Sequence, residues 1–208
     1  MLDPFMRRLI DPPLKGMALI WPRRVSANQI TIFGFVLGVG CFLAIATNNM
    51  MAALVLLGLN RFADGLDGAV ARAQTPSELG AYLDIVSDFV LWGLLPIGFI
   101  ILDSGNAIAA AVLLSSFSMS MTVFLAFAIM AEKRGLETDA QGRKSFFYVA
   151  GLAEGTETIA FFAIVLIWPG VFVPAAFIYA AIVYLSVIGR IASSYLVLKD
   201  LASDTKAD

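Results

Sequence analysis

Four aspartates, Asp64, Asp67, Asp84 and Asp88, fall within the stretch from Arg61 to Asp88, RFADGLDGAVARAQTPSELGAYLDIVSD. The segments that carry them are otherwise among the most apolar in the chain. A carboxylate inside a membrane span costs about 2.5–3.5 kcal/mol on insertion scales, so four of them demand a compensating partner. On a helix Asp64 and Asp67 stand at i,i+3, and Asp84 and Asp88 at i,i+4, so each pair shares one face. Gly80, one turn before Asp84, lies on the same face and removes a side chain that would hold a ligand or a neighbouring backbone away. The break Gln74-Thr75-Pro76-Ser77 predicts a helical hairpin that brings the two pairs together. Converging carboxylates repel one another unless divalent cations lie between them. The residues therefore point to a two-metal site of hard oxygen ligands, suited to Mg or Mn.

Such a site needs a membrane scaffold around it. The chain has 208 residues, of which 60% are hydrophobic, and a mean hydropathy of +0.86. That composition is that of an integral membrane protein of one domain. Apolar stretches occur at 27–47, 51–73, 78–102, 106–131, 156–169 (a short run, extended by its polar entry) and 172–198, to be set against the roughly 20 residues that cross a core of about 30 Å. The expected fold is an all-α integral membrane protein, with six transmembrane helices preceded by a short N-terminal interfacial helix. A single domain over 1–201 divides into a cytoplasmic interfacial segment, 1–25, and a six-helix bundle, 26–201. Residues 202–208 are expected to form a polar, disordered cytoplasmic tail. In the segment LDPFMRRLI the apolar and charged residues separate onto two sides, which predicts a helix lying in the interface that Pro12-Pro13 ends.

Charge placement sets the expected orientation. Arg7, Arg8, Lys15, Arg23 and Arg24 precede the first span, Lys133, Arg134, Arg143 and Lys144 follow the fourth, and Lys199 and Lys206 follow the last. The linkers at 47–49, 103–106 and 169–170 contain no Lys or Arg. The positive-inside rule then puts both termini, the Pro76 hairpin and the acidic cluster on the cytoplasmic side. A lone cysteine, Cys41, excludes an intramolecular disulfide, and the lack of His excludes histidine chemistry. Charges and prolines interrupt the N-terminus before any apolar run, which is not a cleavable signal pattern.

The pattern Asp64-x-x-Asp67-Gly68-x-x-Ala71-Arg72, then Gly80-x-x-x-Asp84-x-x-x-Asp88, resembles the signature of the CDP-alcohol phosphotransferase family. Ala73 to Leu79 makes seven residues where the family usually has eight, a shortening confined to the turn. The resemblance covers most of the chain and implies a bacterial inner-membrane enzyme that forms homodimers and uses two divalent cations, Mg or Mn. It implies transfer of a phosphatidyl group from CDP-diacylglycerol to an acceptor hydroxyl, with release of CMP. Asp64, Asp67, Asp84 and Asp88 then hold the metals, and Asp88 also serves as the general base that takes the acceptor proton. Gly65, Gly68, Ala71 and Gly80 leave room for the cytidine diphosphate, Arg72 stands where the nucleotide approaches, and Asn28 and Thr31 look like the family's nucleotide-side Asn-x-x-Thr.

Several of these residues also have plainer readings. Ser26 or Asn28 can simply cap the first span. Gly34-x-x-x-Gly38 permits close helix packing, as do Ser115, Ser116, Ser118 and Ser120. Arg61, one turn before Asp64, either neutralises it or faces a diphosphate, and Arg72 can snorkel. Glu78 suits a helix N-terminus. Glu154 and Glu157 stand where relatives that use phosphorylated inositol place arginines, but they also answer a helix dipole. Arg190 has no acid one turn away and resembles an acceptor-holding Arg.

The expected acceptor is a small, unphosphorylated polar alcohol, on the strength of Glu154 and Glu157. The alternative is glycerol 3-phosphate, in the manner of a phosphatidylglycerophosphate synthase, supported by Lys133, Arg134, Arg143, Lys144 and Arg190. A cation transporter using the aspartates is the reading from another class, but transporter sites sit on broken helices related by repeats, and no repeat is present. The expected partners are CDP-diacylglycerol, the acceptor, membrane lipid and a second copy of the chain, with no nucleic acid.

Overall fold

The computed structural model describes residues 3–22, 24–133 and 153–204, and these are helical with short connections and no strand. In chain order the helices are α1 (Asp3–Leu19), α2 (Ala27–Ala46), α3 (Met50–Ala73), α4 (Glu78–Leu102), α5 (Ala107–Lys133), α6 (Gly155–Ile167) and α7 (Phe172–Asp204). Single 3-10 turns, Ser104–Asn106 and Pro169–Val171, lead into α5 and α7. Local chemistry sets the starts. Gln29 N donates to Ser26 Oγ (3.3 Å) while Ser26 N donates to Gln29 Oε1 (2.9 Å), a reciprocal cap that satisfies donors a helix start leaves open. Asn49 Oδ1 accepts from Ala52 N (3.2 Å) and Ser77 Oγ from Gly80 N (3.1 Å), which begin α3 and α4.

Four segments are long and apolar enough to cross a membrane: Ala27–Ala46, Glu78–Leu102, Ser104–Lys133 and Pro169–Lys199. The other two expected spans differ for separate reasons. α3 has 24 residues but carries Arg61, Asp64 and Asp67 along its middle. α6 has 13 residues, about 20 Å at about 1.5 Å per residue, against a core of about 30 Å.

Two boundaries depart from expectation. Pro12 and Pro13 lie inside α1 and do not end it. Each lacks an N–H to donate, and the carbonyls they leave unpaired belong to the exposed turn at Arg8 and Leu9, where water can serve. The C-terminal segment also stays helical past residue 201, since α7 continues through Asp204.

The main core joins α2 to α7. Phe99 stacks on Phe172 (centroids 4.1 Å apart), Phe161 on Tyr179 (4.7 Å) and Trp92 on Phe162 (5.7 Å). A second cluster, Leu14, Ala18, Ile30, Ala63, Leu66, Ala69 and Val70, docks α1 on α2 and α3. Glycines allow α2 its close approaches. A Cβ on Gly34 would lie 3.2 Å from Ala63 Cβ, and one on Gly38 2.8 Å from Leu91 Cδ1. The Gly-x-x-x-Gly segment is therefore a packing device. A Cβ on Gly98 would lie 3.1 Å from Ile45 Cβ and 3.2 Å from the Phe42 carbonyl oxygen. Backbone cannot yield as a side chain can, so Gly98→Val is expected to cost about 1–3 kcal/mol. A lowered midpoint of thermal unfolding in detergent, at unchanged metal response, is the readout.

Candidate active site

The α3–α4 hairpin supplies the chemistry. Its turn, 74–77, ends where Ser77 caps α4, and it sets two clefts side by side. The smaller, about 180 Å³, is lined by Asn28, Thr31, Gly68, Ala71, Arg72 and Gly80 together with Asp67 and Asp84. Ser26 is the cap of α2, so Asn28 is released to face α4. A Cβ on Gly80 would lie 2.9 Å from Asn28 Oδ1 and 3.1 Å from Ser77 Oγ. The Thr31 hydroxyl donates to the Ala27 carbonyl (3.1 Å), and Thr31 lines the same cleft. Arg72 is exposed at the rim, with Nη1 3.3 Å from where a Gly68 Cβ would stand.

The larger cavity, about 470 Å³, takes in Asp64, Asp67, Asp84 and Asp88, with Gly65, Gly68, Arg72 and Trp92. Asp67 and Asp84 line both spaces. The structure thus brings both aspartate pairs to one cavity. α1 closes one side through Met6, Ile10, Asp11 and Leu14. Gly65 makes that closure possible, because a Cβ there would lie 2.8 Å from Leu14 Cδ1.

Burial divides the four acids. Asp84 is exposed, Asp64 and Asp88 are partly buried, and Asp67 is 5% exposed. The Asp67 Oδ2 is buried without a hydrogen-bond partner among the described residues. The expectation that only cations relieve the repulsion needs correction, because Arg61 does part of that work. Its Nη2 donates to Asp88 Oδ1 at 2.8 Å, and its Nη1 lies 3.6 Å from Asp64 Oδ2. Its Nε donates to Asn60 Oδ1 (2.7 Å), and Asn60 Nδ2 donates to the Gly34 carbonyl (2.8 Å). The guanidinium carbon sits 4.9 Å from the Trp92 ring centroid, a cation–π contact. Among the described residues no three acids stand close enough together to ligate one ion. The donor set still suits a hard divalent cation: oxygen ligands from two helices open on one cavity, and one buried carboxylate oxygen has no partner.

The residues expected at the acceptor end do not all gather. Glu157 accepts from Glu154 N (3.2 Å), so these acids take part in the start of α6. Thr158 Oγ1 donates to the Glu154 carbonyl (2.9 Å) and lies 2.8 Å from the Tyr179 hydroxyl. Arg190 Nη1 donates to Ser120 Oγ (3.3 Å). It lines a third space of about 210 Å³ with Glu154, Thr158, Ser120 and Trp92. Trp92 and Gly155 line this space and the acidic cavity alike, so the two adjoin. Lys133 is exposed at the end of α5. Arg134, Arg143 and Lys144 lie outside the described residues.

Asn60, Trp92 and Asp11 were not singled out from the sequence. Trp92 stands one turn beyond Asp88, and Asn60 one turn before Asp64, so helical spacing from the motif would have found both.

Comparison with known proteins bears on the family and the fold. The model of the CDP-alcohol phosphatidyltransferase family matches residues 24–194. The inner membrane protein YnjF of Escherichia coli is 37% identical over 203 residues, covering 97% of this chain and 98% of that protein. An archaetidylinositol phosphate synthase of Methanothermobacter thermautotrophicus is 34% identical over 96 residues, 46% of each chain. Among solved structures, the phosphatidylinositol phosphate synthase of Mycobacterium tuberculosis with CDP-DAG bound superposes with a TM-score of 0.63. It is 21% identical, over 90% of this chain and 94% of that one. The same enzyme in complex with manganese and citrate gives 0.60 at 19% identity, over 89% and 88%.

Proposed function

From the premise that this chain belongs to the CDP-alcohol phosphatidyltransferase family, and is an enzyme of that class, we propose the particular reaction it carries out. The donor is CDP-diacylglycerol, the acceptor is a small, unphosphorylated polar alcohol, and the products are a phospholipid and CMP. The observation that carries this reading is the pair of adjoining clefts that share Asp67 and Asp84. One cleft is bordered by small residues and an arginine at its rim, as a nucleotide diphosphate requires. The other presents the four carboxylates.

Asp64, Asp67, Asp84 and Asp88 are the residues that would hold two divalent cations, Mg or Mn. When bound, such cations would supply the positive charge that neutralises the diphosphate. Asp88 takes the proton of the acceptor hydroxyl as its oxygen bonds to the phosphatidyl phosphorus. The phosphorus–oxygen bond to CMP breaks, and CMP leaves with the electron pair. Asn28, Thr31, Gly68, Ala71, Arg72 and Gly80 orient the cytidine diphosphate. Gly80→Val, whose side chain would run into Asn28 and Ser77, is expected to lower kcat/KM for the donor about tenfold, with KM carrying most of the change.

The charge around the acceptor end supports an unphosphorylated acceptor. Arg61 is already engaged by two aspartates, and Arg190 shares its space with Glu154, so neither offers an unopposed cation to a phosphate. Glycerol 3-phosphate remains the second reading. Arg190 beside the acidic cavity and the inositol phosphate synthases among the relatives favour it.

In the membrane, α3 and α6 complete six crossings. α3 turns its charges into the cavity, where polar groups are tolerated, and the turn after α6 lengthens the fifth crossing. Both termini and the site face the cytoplasm, where CMP is released, and two copies associate as a homodimer.

CMP release from CDP-diacylglycerol, with Mg or Mn, against glycerol 3-phosphate, inositol, inositol phosphate, serine, glycerol and phosphatidylglycerol tests the assignment. Release with an unphosphorylated alcohol is the expected result. Release only with a phosphorylated acceptor overturns it, and cation flux into liposomes without CMP release points instead to transport.

A further inference from the structure

Arg61 is engaged more fully than any other cation of the described residues whose contacts the site uses. Its side chain is 14% exposed and its guanidinium meets groups from α3 and α4. It holds Asp88 at 2.8 Å, Asp64 at 3.6 Å, Asn60 at 2.7 Å and the face of Trp92 at 4.9 Å. Asn60 is itself fixed by its bond to the Gly34 carbonyl on α2. Ordering a side chain as long as arginine costs rotamer entropy, and three helices contribute to holding this one in place.

We propose that Arg61 is a resident counter-ion that competes with the divalent cations for Asp64 and Asp88, and so sets how tightly those cations load. This rests on the reading of the four aspartates as metal ligands. Three features carry it. An Asp88 oxygen that accepts a short guanidinium bond has lone-pair density turned toward that donor and away from a metal. A unit positive charge among the ligands also repels a divalent ion, with an energy that falls only as the inverse of distance. Finally, Arg61 has somewhere to go. On leaving Asp88 it can remain over Trp92, whose ring face stabilises a cation, while Asn60 keeps hold of Nε. The exchange therefore needs the planar guanidinium to pivot as one unit about its Nε bond to Asn60, with no rearrangement of α3. In the cation-free enzyme the same residue keeps the carboxylates from driving α3 and α4 apart.

Binding of manganese to the purified full-length chain in detergent, followed by the paramagnetic resonance of the free ion, tests this without reference to turnover. Arg61→Gln removes the charge and is expected to bind manganese about tenfold or more tightly than wild type. The same variant is expected to melt at a lower temperature without manganese and to gain more on its addition. Arg61→Lys keeps a point charge but loses the planar fork that reaches two carboxylates, so about threefold tighter binding is expected. A folded Arg61→Gln protein with unchanged or weaker manganese affinity overturns the inference. If that variant cannot be recovered folded, Arg61→Lys with affinity no tighter than wild type does so. A wild type that binds no manganese overturns the metal reading itself, so the two failures are distinguishable.

Discussion

Asp88→Asn is expected to lower CMP release by about 10²–10⁴-fold, the range in which a positioned general base contributes. The substitution changes the chemistry of the side chain and leaves its shape. The amide has the same volume as the carboxylate, and its Oδ1 can still accept from Arg61 Nη2 across the 2.8 Å contact that joins α3 to α4. The hairpin therefore stays closed and Trp92, one turn on, keeps its stack on Phe162. What is lost is the ability to take a proton from an acceptor hydroxyl, together with one anionic ligand. KM for CDP-diacylglycerol is expected to move little, because Asn28, Thr31 and Gly80 line the nucleotide cleft and Asp88 does not. Steady-state CMP release with the preferred acceptor measures both quantities. Turnover near that of wild type would move the base elsewhere, with Asp84 the first candidate.

The hairpin was legible because its determinants are local. Spacing of three and four residues places each aspartate pair on a face, Thr75-Pro76-Ser77 breaks the helix, and Ser77 caps the next one at Gly80. The cap at Ser26 was equally readable, since Gln29 follows three residues later. Helix bounds fall within a few residues of the apolar runs, except at the C-terminal end. Features that depend on distant contacts were not legible. Arg61 was expected to serve Asp64 or a diphosphate, yet its shorter contact is with Asp88, 27 residues away. Helix packing makes that contact, and local periodicity does not encode it. Pro12-Pro13 misled in the opposite sense: the local rule is sound, but Leu14 and Ala18 are buried on α2 and α3 and hold α1 helical through the break. Tertiary burial outweighs the lost hydrogen bonds where water can take the freed carbonyls. The acceptor end was the least legible. Glu154 and Glu157 have a role in starting α6, so acids at that position serve helix geometry as well as any ligand. Their side-chain types alone could not separate the two.

Asp67 should show a gain and a loss from the same change. It is 5% exposed, and its Oδ2 is buried with no hydrogen-bond partner among the described residues. A charge held in that way is destabilising on its own account, and leaving a buried polar group unsatisfied costs about 1–3 kcal/mol. Asp67→Asn keeps the shape and replaces a buried charge by a neutral amide, which is cheaper to bury, so the metal-free protein is expected to become more stable by about 1–2 kcal/mol. Turnover is expected to fall by about 10²–10³-fold, the scale seen when a preorganised electrostatic group is lost from a dry site. Manganese should then raise the melting temperature of wild type more than that of the variant. These opposite signs separate function from structure. An aspartate retained for packing would lose stability when replaced, and activity would fall only in step with the folded fraction. An aspartate retained for a cation gives a more stable and less active enzyme, because the unpartnered oxygen is a cost of the resting fold that only the loaded site offsets. Thermal unfolding with and without manganese, set beside CMP release from the same preparation, distinguishes the two. Equal losses of stability and activity would remove Asp67 from the ligand set and leave Asp64, Asp84 and Asp88 to carry it.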